Sequence, residues 1–376
     1  MDTKKAGETY LLEISSGFGP VYHSVKKGPP RDARTDEIPI IDVSGIFSQN
    51  LSQRQAVANQ IYQAGTRMGF FYIINHGIPE SITEAAAKST LDFFHLPSEE
   101  KNKVHFSHEI EGYIGYNREQ LNYTESVDLK ERFRLPYRPS LDPMSTPSLI
   151  GSGYKEFPWE KIDQLPSFAG SISECFISRL QLARQLLRTI ALALELPEDY
   201  FDLKVAQPMA ALALNYFPPL PTETAKDNEK LERLGLGSHT DFGLITLLWQ
   251  DDSGGLQILS PDGEWLKAKP IPGSLICNMG DFMSMITDGK FISDVHKVKN
   301  ENSRERISIP FFMGYGAKEK IEIVESCRKN TKERDKFQGL LASDWIEQRM
   351  NGAKVRRVGE GEMPVSDKDN TLAEDS

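Results

Sequence analysis

The chain has 376 residues, about 2.5 typical domain lengths, so one large domain or two ordinary ones would fit. A net charge of −10, from 54 acidic and 44 basic residues, excludes the basic footprint of a nucleic-acid or anionic-membrane binder, and 39% apolar with 26% charged residues is a globular balance. Three widely spaced cysteines, Cys175, Cys277 and Cys327, form no disulfide framework and read as reduced thiols.

No leader pattern opens the chain, and no run approaches the ~18 apolar residues of a membrane span. The expectation is a cytoplasmic protein, monomeric or weakly oligomeric, that meets a small molecule and neither nucleic acid nor membrane.

Residues 1–37 mix Gly, Pro and charge without a period and read as an extended N-terminal arm. Ile38-Pro-Ile-Ile-Asp-Val43 is the first strand signal. Ser52 looks like the N-cap of a helix to about Arg67, with Ala56, Val57, Ile61 and Ala64 on one face and Gly69 as its stop. Phe70–Ile74 suits a buried strand ending in an Asn75-His-Gly77 turn, and Pro79 opens a helix through about Phe94. Between Pro166 and Leu196, apolar residues from Ile172 to Leu194 step by three or four until Pro197 ends the pattern. Residues 38–208 therefore read as a mainly helical N-terminal part.

After Met209 the texture changes. Short β-rich runs (Ala211–Phe217, Leu244–Trp249, Leu256–Leu259, Trp265–Ala268, Ser274–Asn278, Val295–Val298, Ile307–Phe312) are separated by turn residues, with Asp262-Gly263 a strong hairpin turn. Such spacing argues an antiparallel sandwich or barrel over residues 209–315. A helix over roughly Lys332–Met350 belongs to a C-terminal extension, 316–352, before a polar tail, 353–376. The fold class is α+β around one β core.

His239-Thr-Asp241 places an imidazole and a carboxylate two apart, on one face if the segment is a strand. His296, in a later β run, completes two histidines and one carboxylate, the facial set of non-haem Fe(II) that leaves positions open for ligands. The same set suits zinc, so it does not by itself name the metal. A hairpin folded about Asn302 would put Ser308 opposite His296 and Arg306 opposite Val298, with Cβ atoms about 5 Å apart. Arg306 and Ser308 would then hold the far carboxylate of a dicarboxylic acid. Arg138-Pro-Ser140 has the same spelling, but sits in a Pro-rich loop with no ligand candidate beside it.

In these residues the chain resembles the Fe(II)/2-oxoglutarate-dependent dioxygenases of the isopenicillin N synthase-like group, over roughly Ile38 to Tyr315. The pieces run in order: Ile38–Asp42, Gly69–Gly77, Asp128-Leu-Lys-Glu131, Leu194–Pro197, Asn215-Tyr-Phe-Pro218, Gly237–Asp241, Gln250–Gln257, Gly263-Glu-Trp265, Asn278-Met-Gly-Asp281 and Arg304–Ser308. The resemblance implies a double-stranded β-helix (jelly-roll) core with flanking helices. It implies His239, Asp241 and His296 as Fe(II) ligands, and Arg306 and Ser308 on the C5 carboxylate of 2-oxoglutarate. Tyr216, with Asn215 beside it, would help to seat that cosubstrate. O2 is the second cosubstrate, and ascorbate can support turnover in the family. The implied substrate contacts are Tyr113, Tyr116, Tyr123, Phe133 and Phe312, the last by its shared parity with Arg306 and Ser308 if Pro310 makes no bulge. Aromatic side chains there would suit an apolar or ring-containing molecule, under a cover from the loop Pro218–Ser238.

Other features read more plainly. His76 packs at a strand end; His95, His105 and His108 are solvated; Asp251 and Asp252 form a turn; Cys277 is a core residue. The expected activity is hydroxylation, desaturation or cyclisation of a small organic molecule in specialised metabolism. Two rivals stand beside it: a 2-oxoglutarate-independent iron oxidase of the isopenicillin N synthase type, and a non-catalytic jelly-roll metal binder.

Overall fold

The strand Arg306–Gly316 divides the interior in two. Ile307, Ile309, Phe311, Met313 and Tyr315 enter a core shared with helices, and the alternate residues Arg306, Ser308, Pro310 and Phe312 face the other way. The computed structural model describes residues 8–16, 19–107, 111–146, 154–219, 234–300, 304–329 and 339–352.

In chain order, β1 (Thr9–Ser16), β2 (Gly19–Lys26), β3 (Arg31–Asp32) and β4 (Ile40–Asp42) precede α1 (Leu51–Arg67) and β5 (Phe70–Ile74). Then come α2 (Glu80–Phe94), α3 (Ser98–Asn102), β6 (Gly112–Ile114), β7 (Glu131–Pro136) and the long α4 (Phe168–Ala193). The second half holds β8 (Pro208–Phe217), β9 (Leu236–His239), β10 (Ile245–Gln250), β11 (Leu256–Leu259), β12 (Trp265–Lys267) and β13 (Leu275–Met279). It ends with α5 (Asp281–Ile286), β14 (His296–Val298), β15 (Arg306–Gly316) and α6 (Ala342–Gly352).

These strands form a jelly roll. A large sheet in the order β4-β5-β13-β10-β15-β8-β7-β6 faces a smaller one in the order β3-β12-β11-β14-β9. The helices α1, α2 and α4 cover the outer face of the large sheet, where Phe71, Leu212, Leu247 and Phe311 meet Ile61, Phe93, Phe176 and Leu187. A second core between the sheets joins Phe70, Tyr72, Phe217, Ile258, Leu266, Ile276 and Val298. Burying side chains on both faces of β10, β13 and β15 explains why these strands read as continuous apolar runs.

Several expectations change. The N-terminal arm is structured: β1 and β2 pair as a hairpin, and Leu12, Ile14 and Val25 cover Leu259, Trp265 and Val295. The stretch expected to be mainly helical also gives β4, β5, β6 and β7 to the large sheet. Asn50, not Ser52, caps α1, its side chain accepting from Ser52 N–H at 3.0 Å.

The tip Asn302 lies outside the described residues, but the strands on either side of it are not a hairpin. β14 pairs with β11 and β9 in the small sheet, and β15 with β10 and β8 in the large one. The connection therefore crosses the sandwich. Most of the expected cover loop, 220–233, and the tail, 353–376, lie outside the described residues, as does 332–338 of the expected last helix; among the described residues the helix runs from Ala342. Pro310 makes no register shift: it stands opposite Leu248, and Phe312 keeps the parity of Ser308.

Gly69 makes the sharp passage from α1 to β5 at φ +72°, where an added Cβ would collide with the Ile292 carbonyl oxygen. Gly77 has φ +78°, yet its Cβ would only touch the Phe47 ring at 3.4 Å. Gly77→Ala should cost about 1–2 kcal/mol of backbone strain. Gly69→Ala should add ~1–3 kcal/mol for the collision. Calorimetric unfolding of both variants checks this; equal shifts would mean that the Ile292 backbone yields freely.

Candidate metal centre and its surroundings

His239 ends β9 and His296 begins β14, and the two are register partners across the small sheet with ring centroids 4.2 Å apart. Asp241 lies two residues beyond the strand end, so no ladder holds it. Its carboxylate is placed by side chains of the opposite sheet. Thr246 Oγ1 and Asn278 Nδ2 donate to Asp241 Oδ2 at 2.6 and 2.7 Å. The other oxygen, Oδ1, faces His239 Nε2 at 3.7 Å and His296 Nε2 at 3.8 Å.

Each imidazole is oriented from behind, His239 Nδ1 on the Gly237 carbonyl at 2.8 Å and His296 Nδ1 on that of Asp294 at 3.3 Å. Both Nε2 atoms are thereby turned toward the carboxylate. The three ligand atoms lie within 4.8 Å of one another, and all three residues are buried. Burial, then the neighbouring His296, pushes His239 down to about 3, so its imidazole is neutral. Burial alone would raise Asp241, but the two histidines, Asn278 and Thr246 together hold it below the usual carboxylate range. Two imidazoles and one single-oxygen carboxylate fit a divalent ion such as Fe(II).

The Asp128-Leu-Lys-Glu131 stretch splints this strand. β9 is an edge strand, and side chains replace the missing neighbour. Gly237 N–H donates to Asp128 Oδ1 at 3.0 Å, Ser238 N–H to Glu125 Oε2 at 2.5 Å, and Asn122 Nδ2 to the Ser238 carbonyl at 3.1 Å. Lys130 Nζ, 3.0 Å from Glu119 and 3.9 Å from Asp128, compensates the buried carboxylates. Glu131 accepts from Lys101 Nζ at 2.6 Å and from the Tyr113 hydroxyl.

Across the sandwich, Arg306 is 1% exposed. Its guanidinium donates to three neutral oxygens: Gly254 O at 2.5 Å, Ser308 Oγ at 3.2 Å and Gln250 Oε1 at 3.2 Å. Its carbon also lies 4.7 Å from the centre of the Phe217 ring. Among the described residues no carboxylate pairs with it, and burial pushes it down to about 10, with Asp251 opposing. A buried cation among neutral acceptors fits an incoming carboxylate.

The rows of the large sheet decide which expected contacts can reach this space. Asn215 stands opposite Ser308 and Phe217 opposite Arg306, so both share the inner face. Tyr216 points outward: its ring stacks on Phe94 at 5.3 Å, and its hydroxyl donates to Glu305 at 2.9 Å. It cannot seat the cosubstrate, and Phe217 holds the inward position instead. Phe133 is likewise outward, between Phe93 at 5.2 Å and Phe168 at 5.4 Å. Tyr113, its register partner, packs on Phe93 at 5.9 Å.

The Tyr123 hydroxyl is engaged by Glu13 of the hairpin, and Tyr116 is exposed on the loop after β6. Phe312 faces inward beside Thr246 and Ala211. The inward residues of β7 are Arg132, opposite Asn215, and Arg134, opposite Ala213. Of the plainly read residues, Cys277 is buried, whereas His95 pairs with Glu305 at 2.7 Å; His108 lies outside the described residues.

Sequence reasoning assigned no role to Thr246, Gln250, Asn278 or Arg132. Gln250 and Asn278 open two of the quoted family segments, and β-strand parity would have found Arg132. A cleft of about 790 Å³ is lined by His76, Asp251, Lys267 and Lys299, and by Gln250 and Gly254, which hold Arg306, but by none of His239, Asp241 and His296. The convergence of donors, not cavity size, locates the site.

Known proteins share this arrangement of sequence and fold. Residues 38–152 match the family described as non-haem dioxygenase in morphine synthesis N-terminal, and residues 208–314 match the 2OG-Fe(II) oxygenase superfamily. The 2-oxoglutarate-Fe(II) type oxidoreductase ppzC of Metarhizium majus is 40% identical over 92% of this chain and 95% of its own. The 1-aminocyclopropane-1-carboxylate oxidase of Dictyostelium mucoroides is 32% identical over 74% and 82%. Among solved structures, a full-length Neurospora crassa protein in complex with alpha-KG and thymine superposes with a TM-score of 0.72 at 26% identity, over 85% of this chain and 98% of that one.

His239→Ala and His296→Ala should each abolish stoichiometric Fe(II) binding. Asn278→Ala, which frees Asp241 to rotate, should weaken it about 10–100-fold. Anaerobic calorimetric titration of the apoprotein checks all three; near-normal affinity in either histidine variant would remove that residue from the ligand set.

Proposed function

The chain belongs to the 2OG-Fe(II) oxygenase superfamily, and we propose that it oxidises a small polar molecule bearing a carbonyl or carboxylate oxygen, the class to which amino acids and cyclic amides belong. It is a 2-oxoglutarate-dependent non-haem iron dioxygenase. When bound, Fe(II) with 2-oxoglutarate and O2 supplies the power to oxidise an unactivated C–H bond, and 2-oxoglutarate leaves as succinate and CO2.

In this reading His239, Asp241 and His296 hold the iron. Arg306 and Ser308 take the C5 carboxylate of 2-oxoglutarate, with Asn215 beside them. The observation that carries the substrate class is the inner row Arg132–Asn215–Ser308. Arg132 already pairs through Nη2 with Glu119 at 2.8 Å, but its Nε, like Asn215 Oδ1, is buried without a hydrogen-bond partner. Such groups carry a desolvation cost until a partner arrives. A molecule offering an acceptor to Arg132 and a donor to Asn215 would satisfy both, and Phe312 would pack against its carbon skeleton. Two similar proteins support that size and polarity. One is named for 1-aminocyclopropane-1-carboxylate, an amino acid, and the other was solved with thymine, a cyclic amide. In this reading the polar row takes the place of the aromatic pocket expected from Tyr113 and Phe133, whose rings pack on Phe93. A place in specialised metabolism rests on the family resemblance, and a cytoplasmic location on cysteines that are all free.

Arg306→Ala should weaken 2-oxoglutarate by about thirty-fold or more, the lower end of the ~2–5 kcal/mol cost of truncating a buried charge pair. Fe(II) binding should survive, and Arg306→Lys should recover only part. Anaerobic titration following the weak visible charge-transfer band reads this. No band in the wild type would favour the 2-oxoglutarate-independent rival.

For the substrate, succinate release should be measured across a library of amino acids, cyclic amides and apolar ring compounds. Polar members should stimulate it, and Arg132→Met should raise KM for them about tenfold or more, from one lost hydrogen bond to a charged group. Substrate-free succinate formation should be unchanged. Stimulation by apolar compounds alone, indifferent to Arg132, would overturn the proposed class.

A further inference from the structure

The C-terminal helix α6 reaches the segment that carries His239 and Asp241 through one buried side chain. Arg349 is 1% exposed. Its guanidinium donates to Thr240 Oγ1 at 3.0 Å and to the Ser15 carbonyl at 2.6 Å, and pairs with Asp281 Oδ2 at 2.8 Å. Its carbon lies 4.2 Å from the centre of the Phe242 ring. Thr240 is the residue between His239 and Asp241, and Phe242 is the next one. Two further bonds close the arrangement: Thr240 Oγ1 donates to Asp281 Oδ2 at 2.9 Å, and Asp281 N–H donates to the Asp241 carbonyl at 2.7 Å.

We propose that Arg349 is a positioning residue for iron, fixing the two-residue step by which the chain carries Asp241 from the end of β9 to the metal. The physical need is plain. β9 ends at His239, so the segment Thr240–Phe242 has no strand ladder to fix its path. A planar fork with donors in several directions can hold the Thr240 hydroxyl, the Asp281 carboxylate and the hairpin carbonyl of Ser15 in one geometry, which a single ammonium cannot. Docking of α6 does not by itself require a buried charge. Trp345 already anchors it, buried and donating through Nε1 to the Phe242 carbonyl at 3.0 Å. Asp281 offsets the cost of burying Arg349, so the pair brings order to the segment without an uncompensated charge. Small losses in the support of a metal ligand are felt in metal affinity.

The inference rests on His239, Asp241 and His296 being the metal ligands, and the test separates the two claims. Fe(II) is titrated anaerobically into full-length apoprotein of the wild type, R349M, R349K and R184M. Arg184 is the matched control: its guanidinium pairs with Asp142 at 2.6 and 2.7 Å in the helical layer, and it makes no contact with the metal segment. R349M should bind Fe(II) about tenfold or more weakly, R349K should lie between R349M and wild type, and R184M should melt lower with its Fe(II) affinity within about twofold of wild type. The charge-transfer band of the Fe(II)–2-oxoglutarate complex should shift in R349M and stay in place in R184M. Wild-type affinity in folded R349M overturns the proposal, as does an equal loss in R184M for an equal loss of melting temperature. If R349M cannot be recovered folded, R349K decides: weaker Fe(II) binding supports the inference and wild-type binding overturns it. A wild type that binds no Fe(II) would instead bring down the ligand assignment, and this inference with it.

Discussion

Asp241 uses its two carboxylate oxygens on opposite walls of the sandwich. The large sheet fixes Oδ2 through Thr246 and Asn278, and the small sheet presents two imidazoles to Oδ1. A buried carboxylate needs such partners to stay ionised, and here they come from strands far apart in sequence. The separation and the relative slide of the sheets are therefore set where the metal would sit. The apolar layer around Phe70, Ile258 and Ile276 fills the neighbouring space, and the Phe70 ring meets His296 edge-on at 5.3 Å.

Charge is placed at two points on the inner faces of the sheets. Histidines ligate a metal as neutral imidazoles, so a divalent cation held beside the single carboxylate of Asp241 would leave one net positive charge. The other point is the buried Arg306 among neutral oxygens. In the proposed reading the two together would offset both carboxylates of 2-oxoglutarate and bring the filled site to neutrality. In a low-dielectric interior that balance would discriminate against monoanions of similar shape, because they would leave one buried charge uncompensated.

The sequence was most informative where side-chain chemistry and strand patterning coincide. His239, Asp241, His296, Arg306 and Ser308 carry distinctive chemistry inside or beside β-rich runs; the structure gathers the ligand atoms of the first three within 4.8 Å of one another and sets Arg306 and Ser308 together on the inner face of β15. What could not be read locally was which sheet each strand joins. The Asn302 turn looks like a hairpin by spacing, yet His296 and Arg306 lie in different sheets because each strand finds better partners elsewhere. Tyr216 failed for a different reason. Asn215 and Tyr216 are neighbours, and neighbours on a strand face opposite ways, so the inward companion of Asn215 is Phe217. Tyr113 and Phe133 share that outward face, where aromatic rings serve the helix–sheet core. Asn50 and Ser52 are both good capping types, and only the backbone shows which one accepts. The N-terminal hairpin has little apolar alternation of its own, since only Leu12, Ile14 and Val25 are covered.

The bond between Arg349 and Ser15 joins residues 334 positions apart. Between them lie other long closures: β5 completes its pairing only when β13 arrives, and the histidines meet only when β14 lies against β9. Contacts of this range form late, because loop closure has to precede them. During synthesis the segment carrying His239 and Asp241 therefore leaves the ribosome well before the strands and the helix that shape it. Metal capture would then belong to the finished chain, and a nascent or truncated one would offer iron two loosely held side chains in place of a site.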